Sequence, residues 1–148
     1  MKILVSACLL GVNCKYSQGN NECLKVKELV GKHQLIPVCP EIMGGLTTPR
    51  MPAEIFENKV VTENGQDVTE QFQKGAEETL KLARLFGCTY AILKERSPSC
   101  GCGIIYDGTF SKKLKQGDGL TAKLLKEHGV QIIGETEEEK IDKIKNQE

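Results

Sequence analysis

Four short apolar runs constrain this chain more than any other feature: Ile3-Leu4-Val5, Leu35-Ile36-Pro37-Val38, Tyr90-Ala91-Ile92-Leu93 and Val130-Gln131-Ile132-Ile133. Each is short and apolar, and each reads as a buried strand, over residues 2–6, 34–38, 89–94 and 130–133. Pro37 is an awkward residue for a central strand, because it cannot donate to the ladder. Helical patterns lie between the runs. Residues 21–31 carry Cys23, Val26, Leu29 and Val30 on one face and end at Gly31. Asp67 or Thr69 caps a long helix over about 69–87, with Phe72, Ala76, Leu80, Ala83 and Leu85 as its core stripe and Gly87 as its stop. A further helix is expected over 120–128, and a charged amphipathic tail over about 136–147 is expected to fray. Residues 54–65 carry hairpin signals, and 104–106 read as a short strand before the Asp107-Gly108 turn. Residues 111–118, with Lys112, Lys113 and Lys115, read as a mobile loop. Alternation of strands and helices at these spacings predicts an α/β fold. The expected form is a single domain over 1–148, a three-layer sandwich around a largely parallel, Rossmann-like sheet.

Composition narrows the function. The 148 residues suffice for one core. Lys+Arg and Asp+Glu both number 20, so the basic excess that supplies nucleic-acid affinity is missing. Aromatics are 5% with no Trp, which leaves few platforms for base stacking along a strand. No apolar run reaches bilayer length, and the N-terminal one is too short for a signal-peptide core. A soluble cytoplasmic protein with no membrane partner is the expectation. The sequence fixes no oligomeric state.

Seven cysteines are many for that compartment, at 8, 14, 23, 39, 88, 100 and 102. In a reducing cytosol such thiols more often bind metal or act in catalysis than form disulfides. No pair has Cys-x-x-Cys spacing, so a metal site has to be assembled from distant segments. Cys8 follows the first apolar run, Cys39 the second and Cys100 the third. Ligands of open parallel sheets bind beyond the carboxyl ends of the strands. If those three strands are neighbours, three thiols meet on one rim. The third loop, Ser97-Pro98-Ser99-Cys100-Gly101-Cys102-Gly103, is constrained by its proline and shaped by its glycines. Three thiolates suit an iron–sulfur cluster with one open iron, or zinc with a catalytic water. A cysteine nucleophile and plain reduced thiols stay open as well. A nucleophile needs a base, and the only histidines, His33 and His128, sit near expected helix C-termini, where a surface role fits. Cys23 and Cys88 read as core thiols, while Cys14 and Cys102 are competitors for a ligand role.

Longer blocks carry a resemblance. Ser6-Ala7-Cys8-Leu9-Leu10-Gly11 with Cys14-Lys15-Tyr16 is the first. Cys39-Pro40-Glu41 with Gly44-Gly45-Leu46-Thr47-Thr48-Pro49-Arg50 and Pro52-Ala53-Glu54-Ile55 is the second. Ser97-Pro98-Ser99-Cys100-Gly101 with Tyr106-Asp107-Gly108-Thr109-Phe110 is the third, and Gly119-Leu120-Thr121-Ala122 the fourth. In this order they resemble the family catalogued as domain of unknown function 523, whose characterised members are thiouracil desulfidases. Lys15, where the family often has Arg, Thr47, where Pro is common, and Glu95, an extra carboxylate, depart from its pattern.

The resemblance implies a 4Fe–4S cluster held by Cys8, Cys39 and Cys100, with no protein ligand on the fourth iron. It implies non-redox desulfuration of a small thiolated pyrimidine such as 4-thiouracil to uracil and sulfide, with the open iron acting as a Lewis acid. Glu41 is then the candidate for taking the proton from water, with Ser97 and Ser99 as donors or relays. Arg50 and Lys94 are candidates for binding substrate or stabilising charge. Two alternatives stand beside it: a non-catalytic iron–sulfur or metal-binding protein, and an enzyme acting on thiouridine in tRNA. For the latter, Lys112, Lys113 and Lys115 would be the obvious basic patch.

Overall fold

The computed structural model describes residues 1–147. Strand β1 (Lys2–Ser6) leads into a 3-10 turn over Ala7–Leu10 and a short helix α1 (Leu24–Lys27). Strand β2 (Gln34–Val38) runs straight into helix α2 (Pro40–Met43). A hairpin follows, β3 (Ala53–Phe56) and β4 (Lys59–Thr62), and then the long helix α3 (Thr69–Phe86). Strand β5 (Tyr90–Leu93), a second hairpin of β6 (Ile104–Tyr106) and β7 (Leu114–Gln116), helix α4 (Leu120–Glu127), strand β8 (Gln131–Gly134) and helix α5 (Glu138–Lys145) complete the order.

The central sheet has the order β2-β1-β5-β8, and every pairing in it is parallel. Pro37 is tolerated because β2 is the edge strand. Period-two alternation splits β1 between two cores. Leu4 faces Leu80, Ala83, Ala91, Leu93, Ala122 and Leu125, beneath α3 and α4. Ile3 and Val5 face Val26, Leu29, Ile92, Ile133, Ile141 and Ile144, beneath α1 and α5. Helices cover both faces, so the fold is the three-layer α/β arrangement with a largely parallel sheet. The charged tail contributes two fully buried anchors, Ile141 and Ile144, from its apolar stripe.

Four local expectations need correction. The helix expected over 21–31 survives only as Leu24–Lys27, because Cys23 N–H is drawn to the Leu9 carbonyl and the chain tightens into i,i+3 bonds by Leu29. Leu85, expected on the core stripe of α3, is 75% exposed, and Leu82 and Phe86 pack against the core instead. Within the stretch expected to be mobile, Leu114–Gln116 pairs antiparallel with Ile104–Tyr106. Its lysine sits on an exposed edge, where charge is the usual protection. His33 is 7% exposed rather than a surface group. Its Nδ1 lies 3.0 Å from the N-terminal nitrogen and its Nε2 2.7 Å from the Ile144 carbonyl oxygen, tying β1 to α5. His128 is exposed, with Nδ1 on the Leu124 carbonyl.

Candidate functional site

The chain reverses direction across the sheet between β1 and β5, which makes their carboxyl ends the topological switch point. A cavity of about 510 Å³ opens there. That volume is in the range of small-molecule sites. Cys8, Cys39, Cys100, Glu41, Arg50, Lys94, Ser97 and Ser99 all line it, and so does Cys14. Cys102 lies apart, in a shallow depression with Lys126 and Lys140. Cys88 is buried in the core, and Cys23 packs against the core on the other face.

Each thiol is placed by a strand end. Cys8 falls in the 3-10 turn after β1. Cys39 is the N-terminal flanking residue of α2, with Glu41 in the first turn of that helix. The α2 helix presses on α3 with no side chains between: a Cβ on Gly44 would lie 1.9 Å from the Gln71 carbonyl oxygen, and one on Gly75 1.9 Å from that of Pro40. The Cys100 loop is fastened by α4. The N–H groups of Leu120, Thr121 and Ala122, which a helix start leaves unpaired, donate to the carbonyls of Pro98 and Ser99. Gly119 must be small there, since its Cβ would sit 2.5 Å from the Ser99 carbonyl carbon.

The two serines divide their labour. Ser97 Oγ accepts the N–H of Cys100 at 2.7 Å and so shapes the loop. Ser99 is 2% exposed, and its hydroxyl donates to Glu41 Oε2 at 2.9 Å, with Cys100 Sγ the alternative acceptor at 3.6 Å. Arg50 Nε donates to Glu41 Oε1 at 3.0 Å, and its Nη1 to the Thr47 carbonyl at 3.0 Å. The Glu41 carboxylate is thus gripped at both oxygens between two loops that are distant in sequence. Lys94 Nζ is held at 2.7 Å by Glu135, whose other oxygen accepts the N–H of Glu95. The extra carboxylate, Glu95, accepts the Thr136 hydroxyl.

Burial pushes the Cys100 thiol up to about 12, opposed by hydrogen bonds from Ser6 and Ser99. Burial also raises the Cys8 thiol, opposed by a hydrogen bond from Asn21 and the charge of Lys94. Cys39 is pulled down, first by the hydrogen bond it receives from the Cys14 thiol and further by the Ile42 N–H at the start of α2. When Cys39 is a thiol it donates to the Cys14 carbonyl at 3.8 Å. Ser6, Asn21 and Glu135 were not singled out in the sequence. Asn21 carries no local motif, Glu135 works on Lys94 41 positions away, and Ser6 is marked only by heading the first sequence block at a strand end, without a role.

The donor set fits an iron–sulfur cluster: three partly or fully buried thiols from three strand ends around one cavity, one of them drawn toward thiolate. Among the described residues, no three His, Cys, Asp or Glu side chains converge closely enough to hold a single metal ion. Cluster ligands bind separate irons and need no such convergence.

Fold and site together define a doubly wound α/β protein with a thiol-lined, ligand-sized cavity at its switch point. The chain belongs to the 2-thiouracil desulfurase family, whose model matches residues 3–137. It is 45% identical to the uncharacterized protein YbbK of Bacillus subtilis (strain 168), over 91% of this chain and 96% of that one. Its fold is similar to the solved structure of the [4Fe-4S]-dependent thiouracil desulfidase TudS, with a TM-score of 0.90 and 42% identity over 97% of this chain and 96% of that one. Among the described residues, no helix is long and apolar enough to cross a membrane.

Proposed function

We propose that this protein removes sulfur from a small thiolated pyrimidine, 4-thiouracil or a close relative, giving uracil and sulfide without net redox change. In this reading residues 1–148 act as one domain, and Cys8, Cys39 and Cys100 hold a 4Fe–4S cluster. When bound, a cluster with three protein ligands supplies an open iron that polarises a thiocarbonyl as a Lewis acid. The supporting observation is that these three thiols, together with the Glu41 carboxylate that Ser99 links to Cys100, line a single cavity.

The balance is simple: water adds its oxygen to the ring carbon, the carbon–sulfur bond breaks, and both protons of the water end on products. Glu41 takes the first proton. Its Oε2 already accepts from Ser99, so the Ser99 hydroxyl can relay the proton taken from water onward to the departing sulfide, while Cys100 keeps its role as a ligand. Arg50 keeps the carboxylate aimed, because its Nε donates to Glu41 Oε1 in a largely buried pair. Lys94 brings positive charge toward Cys8 while Glu135 fixes its position. Ser97 orders the loop. Anaerobic reconstitution with iron and sulfide followed by incubation with 4-thiouracil tests the proposal. Stoichiometric uracil and sulfide are expected. A fully loaded protein that releases sulfide only from thiolated tRNA would move the substrate to RNA, and one that releases none would remove the enzymatic reading.

A further inference from the structure

Two of the sequence blocks, Pro52-Ala53-Glu54-Ile55 and Tyr106-Asp107-Gly108-Thr109-Phe110, have no part in the proton path. They meet at the cavity wall. Glu54 Oε1 accepts the N–H of Gly108 at 3.0 Å and that of Phe110 at 3.1 Å. Asp107 Oδ1 accepts both the N–H and the hydroxyl of Thr109, at 3.0 and 2.6 Å. The Asp107 N–H donates to the Lys113 carbonyl at 2.9 Å. Gly108, at φ 93°, sits so close to β3 that a Cβ would lie 2.6 Å from the Ile55 carbonyl oxygen. The turn is therefore held together by Asp107 and pinned to the first hairpin by the Glu54 carboxylate and the close approach of Gly108 to Ile55.

Its product is an unusual residue. Phe110 has φ 56°, a left-handed conformation that a bulky side chain adopts only when its surroundings impose it. Such outliers gather at ligand sites, and here the ring is half-buried in the cavity wall. The chain has seven aromatic residues, four Phe and three Tyr, and three of them (Tyr16, Tyr106 and Phe110) line this one cavity. Walls of that kind hold a planar heteroaromatic ring by stacking. Tyr16 is 45% exposed and already carries Lys15 over its ring. Tyr106 is committed to strand β6 opposite Leu114. Phe110 is the one whose backbone is held out of its ordinary conformation.

We propose that Phe110 is the specificity-determining side chain that stacks on the pyrimidine ring, and that Glu54 is the positioning residue that holds it there through the backbone of the 108–110 turn. This rests on the thiolated-pyrimidine reading above. The test uses cluster-loaded wild type, Phe110→Gly, Phe110→Tyr, Glu54→Ala and Glu54→Gln. Uracil binding is read by equilibrium dialysis, KM and kcat with 4-thiouracil, and cluster content by visible absorbance. Glycine suits the positive φ, so Phe110→Gly removes the ring without straining the turn. It is expected to weaken uracil binding and raise KM by about tenfold, with kcat changed less than about threefold and cluster content unchanged. Phe110→Tyr keeps the ring and binds as wild type does. Glu54→Ala reproduces the loss, and Glu54→Gln, whose amide oxygen still accepts both N–H groups, restores binding. Uracil binding by Phe110→Gly equal to wild type would overturn the stacking role, and Glu54→Gln as weak as Glu54→Ala would overturn the positioning role. Wild-type protein that neither binds uracil nor releases sulfide would instead sink the proposed function, and the ring assignment with it.

Discussion

Gly75→Ala sets two ordinary effects against each other. Gly75 lies inside α3, where replacing glycine by alanine normally stabilises a helix by about 1 kcal/mol. The added Cβ, however, would stand 1.9 Å from the Pro40 carbonyl oxygen and 2.7 Å from its carbonyl carbon. Ordinary contact begins near 3.4 Å, so α2 has to retreat by roughly 1.5 Å, because the atoms the Cβ meets are backbone and cannot swing aside. Overpacking of this kind costs about 1–3 kcal/mol, occasionally more. At the upper end of that range, less the propensity gain, the variant loses about 2 kcal/mol. With a urea slope of about 2 kcal/mol/M, the unfolding midpoint falls by about 1 M. The retreat carries Cys39 and Glu41 with it. Misplacement by about 1 Å can cost a hundredfold in rate, so turnover falls further than stability does. Urea unfolding followed by far-UV circular dichroism reads the first effect, and sulfide release per iron reads the second. Lys74→Ala, on the exposed face of the same helix, serves as control. A Gly75→Ala protein with a midpoint at or above wild type and unchanged turnover would refute the reasoning, because α2 would then not be locked to α3 through backbone.

The remaining predictions follow from the loop and from the thiols. Ser99→Ala is expected to keep its cluster and lose at least about tenfold in turnover, because a general acid–base relay contributes roughly a hundredfold or more. Ser97→Ala is expected to lose cluster content and about 1 kcal/mol of stability, because it leaves the Cys100 N–H without its acceptor. The opposite pattern would exchange the two roles. Stability of cluster-free protein should decline with alkali. The Cys100 thiol is raised from 9.0 to about 12, so an unfolded chain ionises it first and gains on the folded state from about pH 9 to pH 12. Thermal melts across that range, compared with Cys100→Ala, check the sign: the variant should show the shallower decline.

Much of the fold is legible because short apolar runs have few alternatives. All four strands of the central sheet lie where those runs put them, and Gly87 ends α3 in a left-handed cap. The 21–31 segment misleads because its apolar spacing is helical, yet Cys23 is committed to Leu9 and His33 to the N-terminus and α5. Tertiary bonds outweigh a weak local propensity. Three lysines around residues 112–115 read as a mobile loop because charge on an edge strand and charge on a loop look alike in sequence. At the cavity, Cys8, Cys39 and Cys100 follow from the strand-end rule, which needs only that β2, β1 and β5 be neighbours, and they are. What Arg50 and Lys94 touch is not legible, since the partners, Glu41 and Glu135, are chosen by packing rather than spacing. The same holds for Glu54, whose bonds span 54 and 56 positions.

The most direct measurement is iron content and visible absorbance after anaerobic reconstitution of five variants, Cys8→Ser, Cys39→Ser, Cys100→Ser, Cys14→Ser and Cys102→Ser, with sulfide release assayed on each. The first three should fail to hold a 4Fe–4S cluster and should release no sulfide. Cys14→Ser, which keeps a donor beside Cys39, and Cys102→Ser, which lies in another depression, should load and turn over. Full iron and full turnover in any of the first three, or loss of the cluster in Cys14→Ser, would contradict a site built from the ends of β1, β2 and β5.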